Sequence, residues 1–310
     1  IGIALSVFLA LSYFSGPSWE LFWLTGAGTI GVVALASLGR ILSLSAGGTA
    51  VAESLGGHLL CPNTSDPQER RILNVVEEMA IASGTPVPPV YLMEEKGINA
   101  FAAGYSPSNA VVGITRGCAE KLNREQLQGV VAHEFSHILN GDMRLNIKLT
   151  GLIFGIVCLS RIGEVLLRVG LLSGGRRRKK EDGTAALLAL GVVLLIIGLI
   201  GGFFGSLIRA AVSRQREFLA DASAVQFTRN PDGISGALKR IGGYSAGSKL
   251  ETSTAGDFSH MFFGSALGSI FATHPPLEKR IRKIEPSWNE TFPETDQISE
   301  QIDLQSENTA

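Results

Sequence analysis

His133, Glu134, Phe135, Ser136 and His137 spell HExxH in the middle of the chain. With five His and twenty Glu in 310 residues, chance yields about 0.005 copies of this pattern. On a helix, two His four apart project from one face, and both imidazoles reach a single tetrahedral Zn2+. Glu134 then stands beside the open coordination position. A zinc in such a site lowers the pKa of a water towards about 7. A neighbouring carboxylate takes the proton as that water attacks a carbonyl. Such a set, with Glu134 in reach of the water, would suit hydrolysis.

A catalytic zinc keeps three protein ligands. Cys118, His260, His274 and the acidic residues are the chemical candidates for the third. Glu217, in the run 213–221, is the best placed. Phe218, Ala222 and Val225 give that run an apolar helical stripe, and Glu217 and Asp221 fall four apart on one face. Glu217 would complete a His2Glu set, and Asp221 would accept the distal N–H of a ligand His. By spacing alone, two acids on a solvated helix describe the run equally well. His274 either donates to a developing oxyanion or simply opens the Pro275-Pro276 turn. His58 and His260 are lone His residues with no assigned role.

Elements must position these groups. Asn123 with Gln126 three residues on is a capping box, and Asn140-Gly141 is a helix stop. The HExxH helix therefore runs between them, with Leu127, Val131, Phe135 and Ile138 as its buried stripe. Upstream, Asp66-Pro67 starts a helix whose apolar face is Ile72, Val75, Val76 and Met79, ending at Gly84. Residues 90–93, 99–103 and 110–114 read as short strands, with Gly104 and Ser106 to Asn109 turning between the last two.

The chain is 45% hydrophobic and 18% charged, against about 25% charged in average soluble domains. Mean hydropathy is +0.24. Disordered, collagenous and disulfide-scaffold classes are excluded, and three Cys at wide spacing make no framework. A net charge of −1 leaves no basic excess for nucleic acid. Residues 1–19, 21–39 and 183–208 carry no charged residue, and about 20 apolar residues span a bilayer as helix. The first stretch contains Gly16-Pro17, lacks the marks of a signal peptide, and reads as the remainder of a longer span, since the chain begins at Ile1. Residues 149–160 form a shorter apolar run before Arg161, Glu164 and Arg168. From Glu285 onward there are seven acidic residues and no Lys or Arg, which reads as a solvated tail.

Four blocks together resemble the HtpX-type membrane zinc metallopeptidases, relatives of the CAAX prenyl proteases. They are Asn99-Ala100-Phe101-Ala102, His133 to His137 continuing into Asn140-Gly141-Asp142, Arg216 to Asp221, and Thr273-His274-Pro275-Pro276-Leu277. The likeness covers about residues 66–284. It implies that His133, His137 and Glu217 bind one Zn2+ per chain, that Glu134 is the general base, and that Asp221 supports a ligand His. It favours the strand holding Asn99, Ala100 and Phe101 as an edge that pairs with extended substrate. It further implies a multi-pass protein of the bacterial inner (plasma) membrane, its active site on the cytoplasmic face, degrading unfolded or damaged membrane proteins.

The expected fold is α+β: a mainly helical zincin-like domain with a small sheet, plus transmembrane helices. The expected organisation is a membrane hairpin over 1–43, catalytic parts at 44–146 and 213–290 separated by a membrane hairpin at 147–212, and an acidic, disordered tail at 291–310. His133, His137 and Glu217 must meet at one ion, so the chain between them crosses the bilayer twice or not at all. Two crossings are the favoured reading, although the basic loop at 176–180 then runs against the positive-inside tendency. The competing function is a zinc-stabilised, non-catalytic binding or chaperone-like membrane protein. An intact Glu134 speaks against it, because a structural zinc needs no base.

Overall fold

The computed structural model describes residues 7–9, 12–13, 16–45, 47–173, 181–244 and 273–293. The basic loop at 176–180, His260, and the tail from 294 onward lie outside the described residues.

In chain order the elements are α1 (Trp19–Leu44), α2 (Gly48–Ser54), β1 (His58–Leu59), α3 (Pro67–Ser83), β2 (Val90–Met93), β3 (Ala100–Ala103), β4 (Val111–Thr115), α4 (Arg116–Lys121), α5 (Arg124–Asn140), α6 (Asp142–Ser173), α7 (Glu181–Thr228), α8 (Pro231–Gly243) and α9 (Leu277–Ile284). Mainly helical with one small sheet, this is the α+β class the sequence predicts. The chain divides into two units. One contains Ile1–Leu44 and Ile147–Arg209; the other contains Ser45–Asn146 and Ala210–Ala310.

The second unit is built on a four-stranded mixed sheet, ordered β1-β2-β4-β3. β2 runs parallel to β4, while β1 and β3 pair antiparallel with their neighbours. β3 is therefore an edge strand. Phe101 faces Gly113 across the β3–β4 pair, and a Cβ on Gly113 would strike the Phe101 ring. The absent side chain lets the ring lie flat over the neighbouring strand. Phe101, Tyr91, Met93 and Val111 form a small core with α2 on one side. The main core lies on the other side, where α3, α5 and α8 bury Ile72, Val76, Leu127, Val131, Phe135, Ile234 and Leu238.

Local signals explain the helix ends. Asp66 accepts hydrogen bonds from the Gln68 and Glu69 N–H groups, with Pro67 at the first position. Asn123 and Gln126 form the reciprocal capping box. Gly84 and Gly141 close their helices in the left-handed conformation. The α5–α8 crossing is close because both helices present glycine. A Cβ on Gly129 would sit 2.5 Å from the Ile234 nitrogen, and one on Gly233 would sit 2.7 Å from the Glu125 carbonyl oxygen. α5 is buried nearly all round from Leu127 to Ile138, so its interior face is wider than the expected four-residue stripe.

Two described helices are long and apolar enough to cross a bilayer: Trp19–Leu44, and Gly183–Thr228 within α7. In the most apolar window of each, only 6% and 17% of the residues are buried. In the first unit α6 and α7 meet through small residues. A Cβ on Gly163 would lie 2.6 Å from the Gly191 carbonyl oxygen, and one on Gly198 would lie 2.4 Å from the Ser160 nitrogen. Such contact through small residues is how helices associate where surrounding lipid removes the hydrophobic drive.

Candidate active site

α5 carries His133, Glu134 and His137. The 217–221 turn of α7 carries Glu217 and Asp221. The segment entering α9 carries His274, and α9 itself carries Arg280. All are buried or nearly so, and they converge in the second unit.

His133 Nε2 and His137 Nε2 stand 3.1 Å apart. Each lies 3.5 Å from a Glu217 oxygen, His133 from Oε2 and His137 from Oε1. One ligand atom from each residue fits within 4.8 Å of the others, close enough for a single metal ion. Behind this face, each ring turns its other nitrogen to an acid. His133 Nδ1 is 3.0 Å from Asp221 Oδ1, and His137 Nδ1 is 2.8 Å from Asp142 Oδ2. Gly141 reverses the chain after α5 and returns Asp142, five residues on, to His137.

Two guanidinium groups hold those acids. Arg280, fully buried, bonds Asp221 through Nε at 2.9 Å and Nη2 at 2.7 Å. Arg216 Nη1 lies 3.2 Å from Asp142 Oδ1. Sequence reasoning assigned no role to Asp142, Arg216 or Arg280. For Asp142 a signal existed, an acid directly after a glycine helix stop. Arg280 sits among Lys279, Arg282 and Lys283, which reads as a solvated basic face. Only packing turns Arg280 and Ile281 inward.

One local expectation is corrected. The buried face of the 213–224 turns is Ser213, Glu217, Ala220, Asp221 and Ala224, whereas Ala222 is exposed and Phe218 and Val225 are half-buried. The acids occupy the interior face itself because their partners lie inside. Cys118 is buried in the core and is not part of the group that could hold a metal; burial pushes its thiol up to about 12.

The electrostatics follow from burial set against partners. Burial raises Glu134 above the usual carboxylate range. Burial acts the same way on Glu217, but His274, His133 and His137 outweigh it and hold Glu217 well below that range. For Asp221, Arg280 and His133 outweigh burial and lower it. Burial opposes a proton on His137, yet Asp142 and Glu217 raise it to about 10.

Whether the cluster suits a cation is tested by what it leaves unpaired. Glu217 Oε2 is buried without an aligned hydrogen bond among the described residues, as are both ring nitrogens of His274, whereas Asp142 Oδ1 has the Arg216 guanidinium beside it. His274 Nδ1 does approach Glu217 Oε2 to 2.7 Å, out of hydrogen-bond alignment. With the imidazoles neutral, as metal ligation requires, the ionised acids Glu134, Asp142, Glu217 and Asp221 exceed the guanidinium charges of Arg216 and Arg280 by two. A Glu217 oxygen without an aligned donor and an excess of two negative charges fit a divalent cation, and two imidazoles with one carboxylate are a zinc donor set.

A cavity with about 30 Å³ of free space is lined by Ala102, Glu134, His137, Met143, Glu217 and His274, among others. That volume holds a water but no peptide side chain. Glu134, without a hydrogen bond or ion pair among the described residues, borders it. Ala102 brings edge strand β3 to the same cavity. The Phe101 side chain points instead into the smaller core, and Asn99 is buried. Any role of these two towards a substrate would therefore run through the backbone.

An HExxH helix facing a glutamate from a second helix, in a mainly helical domain beside a small sheet, is the arrangement of a metallopeptidase. The chain belongs to Peptidase family M48, whose profile matches residues 66–287, and it is a metalloprotease. It is 41% identical over 230 residues to the Protease HtpX homolog of Caldanaerobacter subterraneus subsp. tengcongensis, covering 71% of this chain and 73% of that one. To the Protease HtpX homolog of Listeria monocytogenes serotype 4a it is 40% identical over 231 residues, covering 72% and 75%. The crystal structure of S. mikatae Ste24p superposes with a TM-score of 0.51 at 14% identity, covering 92% of this chain. That is a likeness of fold, and this chain spans 62% of that protein's length.

Proposed function

We propose that this metalloprotease is a membrane-embedded, zinc-dependent endopeptidase that cleaves unfolded or damaged membrane proteins. The carrying observation is the convergence of His133, His137 and Glu217 at a cavity that Glu134 borders. His133, His137 and Glu217 would hold the zinc, which when bound supplies Lewis acidity to a water and a peptide carbonyl. Glu134 takes the proton of the attacking water and passes it to the leaving amine. Its raised pKa suits both halves of that transfer. Asp221 and Asp142 hold the distal nitrogens of the two His rings and set their orientation. His274, which lines the cavity with Nδ1 turned to Glu217 Oε2, donates to the developing oxyanion. The edge strand β3 pairs with an extended substrate through its backbone.

The membrane reading rests on two helices whose apolar surface is left almost entirely uncovered and on the small-residue crossing of α6 and α7. We place both α6 and α7 across a cell membrane, with the active site on the cytoplasmic face.

The test uses the full chain, purified in detergent without chelator. Zinc per chain and cleavage of an unfolded protein are measured beside Glu134→Gln and Glu217→Ala. The reading requires one zinc per chain, cleavage by the parent, zinc without cleavage in Glu134→Gln, and loss of zinc in Glu217→Ala. Zinc in every variant with cleavage in none points to the non-catalytic binding protein.

A further inference from the structure

Of the nine buried side-chain atoms without hydrogen bonds among the described residues, all but Ser12 Oγ and Arg71 Nε gather at two places. At the active site they are mainly acceptors and ring nitrogens, which suit a cation. At the second place they are donors: Arg40 Nε, Arg209 Nε and Ser37 Oγ. All belong to the first unit.

These donors surround one turn of α6. The Arg40 guanidinium stacks 5.6 Å from the Phe154 ring centroid. Arg209 Nη1 reaches Thr150 Oγ1 at 3.4 Å. Thr150 and Phe154 are four apart, so they share a helix face about 6 Å apart. Ser37, one turn before Arg40, packs against Gly155, where a Cβ would lie 2.1 Å from Ser37 Oγ. No carboxylate pairs with either arginine among the described residues. Arg40 is the first charge after the uncharged stretch 21–39, and Arg209 the first after 183–208. Two helices thus end their apolar runs at the same turn of a third, each with a cation whose fork is partly unused.

We propose that Arg40 and Arg209 form a binding site for the phosphate of an anionic phospholipid, at the boundary between acyl chains and water. The ligand needs an anionic phosphate with two or more acceptor oxygens, because both guanidinium groups are planar forks suited to bidentate bonds. It needs apolar chains, because both arginines stand at the end of apolar helical runs whose surface is left largely uncovered. An anionic glycerophospholipid has both; free phosphate has only the first. This inference rests on the membrane reading above.

The experiment first asks whether the full chain resists alkaline carbonate extraction from membranes. Extraction would sink the membrane reading itself. The retained, purified protein is then offered an equimolar mixture of phosphatidylcholine and phosphatidylglycerol, and bound lipid is counted by native mass spectrometry. Phosphatidylglycerol should be preferred. Arg40→Gln and Arg209→Gln should each weaken its binding about fivefold, the worth of one interfacial cation, and the double variant should lose the preference. Arg40→Lys with Arg209→Lys should keep part of it, and Arg168→Gln, at an exposed cation on α6 paired with Glu164, should keep all of it. A preference unchanged in the double glutamine variant, with unaltered membrane retention, overturns the site. Displacement of the lipid by inorganic phosphate at millimolar concentration overturns the lipid assignment and makes it a site for free phosphate.

Discussion

Arg280 grips Asp221 with two parallel hydrogen bonds, at 2.9 and 2.7 Å, and neither residue reaches solvent. Asp221 in turn lies 3.0 Å from His133 Nδ1. The line from α9 through α7 to α5 joins three helices far apart in sequence. It turns a buried cation, which alone would be costly, into the fixed backing of a ring in the candidate metal site. The geometry is bidentate, and the whole group is removed from water. Screening therefore weakens it less than a surface pair.

Cutting that line should cost stability and metal together. Arg280→Leu leaves Asp221 buried without its cation, a defect worth about 3–5 kcal/mol. Arg280→Lys keeps the charge but loses the fork. Thermal unfolding of the metal-loaded protein should order them parent, Lys variant, Leu variant. A Leu variant as stable as the parent would show that Arg280 is not needed behind Asp221.

Asp142 makes the same kind of contact with His137, and Arg216 sits behind it. Asp142→Asn keeps the shape and removes the charge. Zinc affinity, measured by competition with a chromophoric chelator, should fall about 10–100-fold, as it does when the partner of a metal-bound His is altered. Circular dichroism should stay unchanged. An unaltered affinity would make Asp142 a structural cap of α6 only.

Cys61 is exposed and Cys118 fully buried. With its thiol pushed up to about 12, Cys118 is about one ten-thousandth thiolate at pH 8, and the thiolate is the reactive form. Maleimide should label Cys61 quickly in the folded protein and leave Cys118 untouched until denaturant is added. Native labelling at Cys118, read by peptide mass, would contradict the packing of α4 against the core.

Gly129 lets α5 and α8 approach backbone to backbone. Gly129→Ala improves helix propensity by about 1 kcal/mol, yet forces the helices apart. The net effect should be destabilising, by about 1–3 kcal/mol as for other overpacked cores. Because α5 carries both His ligands, zinc affinity should fall with stability. A stabilised variant would mean the crossing can widen freely.

Much of this protein is legible from local rules. Asp66-Pro67, the Asn123–Gln126 box, Gly84 and Gly141 specify helix ends because unpaired backbone groups at a terminus take their partners from nearby residues. HExxH identifies a candidate metal pair because one turn of helix already brings two His together. The apolar runs declare helices fit for a bilayer, because length and composition alone meet that requirement. The four sequence blocks resemble a family because they recur as strings.

Tertiary structure alone decided which face of the 213–224 turns goes inside, and that Glu217 meets His133 and His137 across 80 residues of chain. Helical spacing places Glu217 and Asp221 on one face without saying whether water or protein covers it. It also decided that one of four cations on α9 is buried, since a lone arginine carries no local mark of a partner 59 residues away. Burial and pairing between distant segments depend on how helices pack. Packing is a property of the whole core, in which no short stretch of sequence holds both partners.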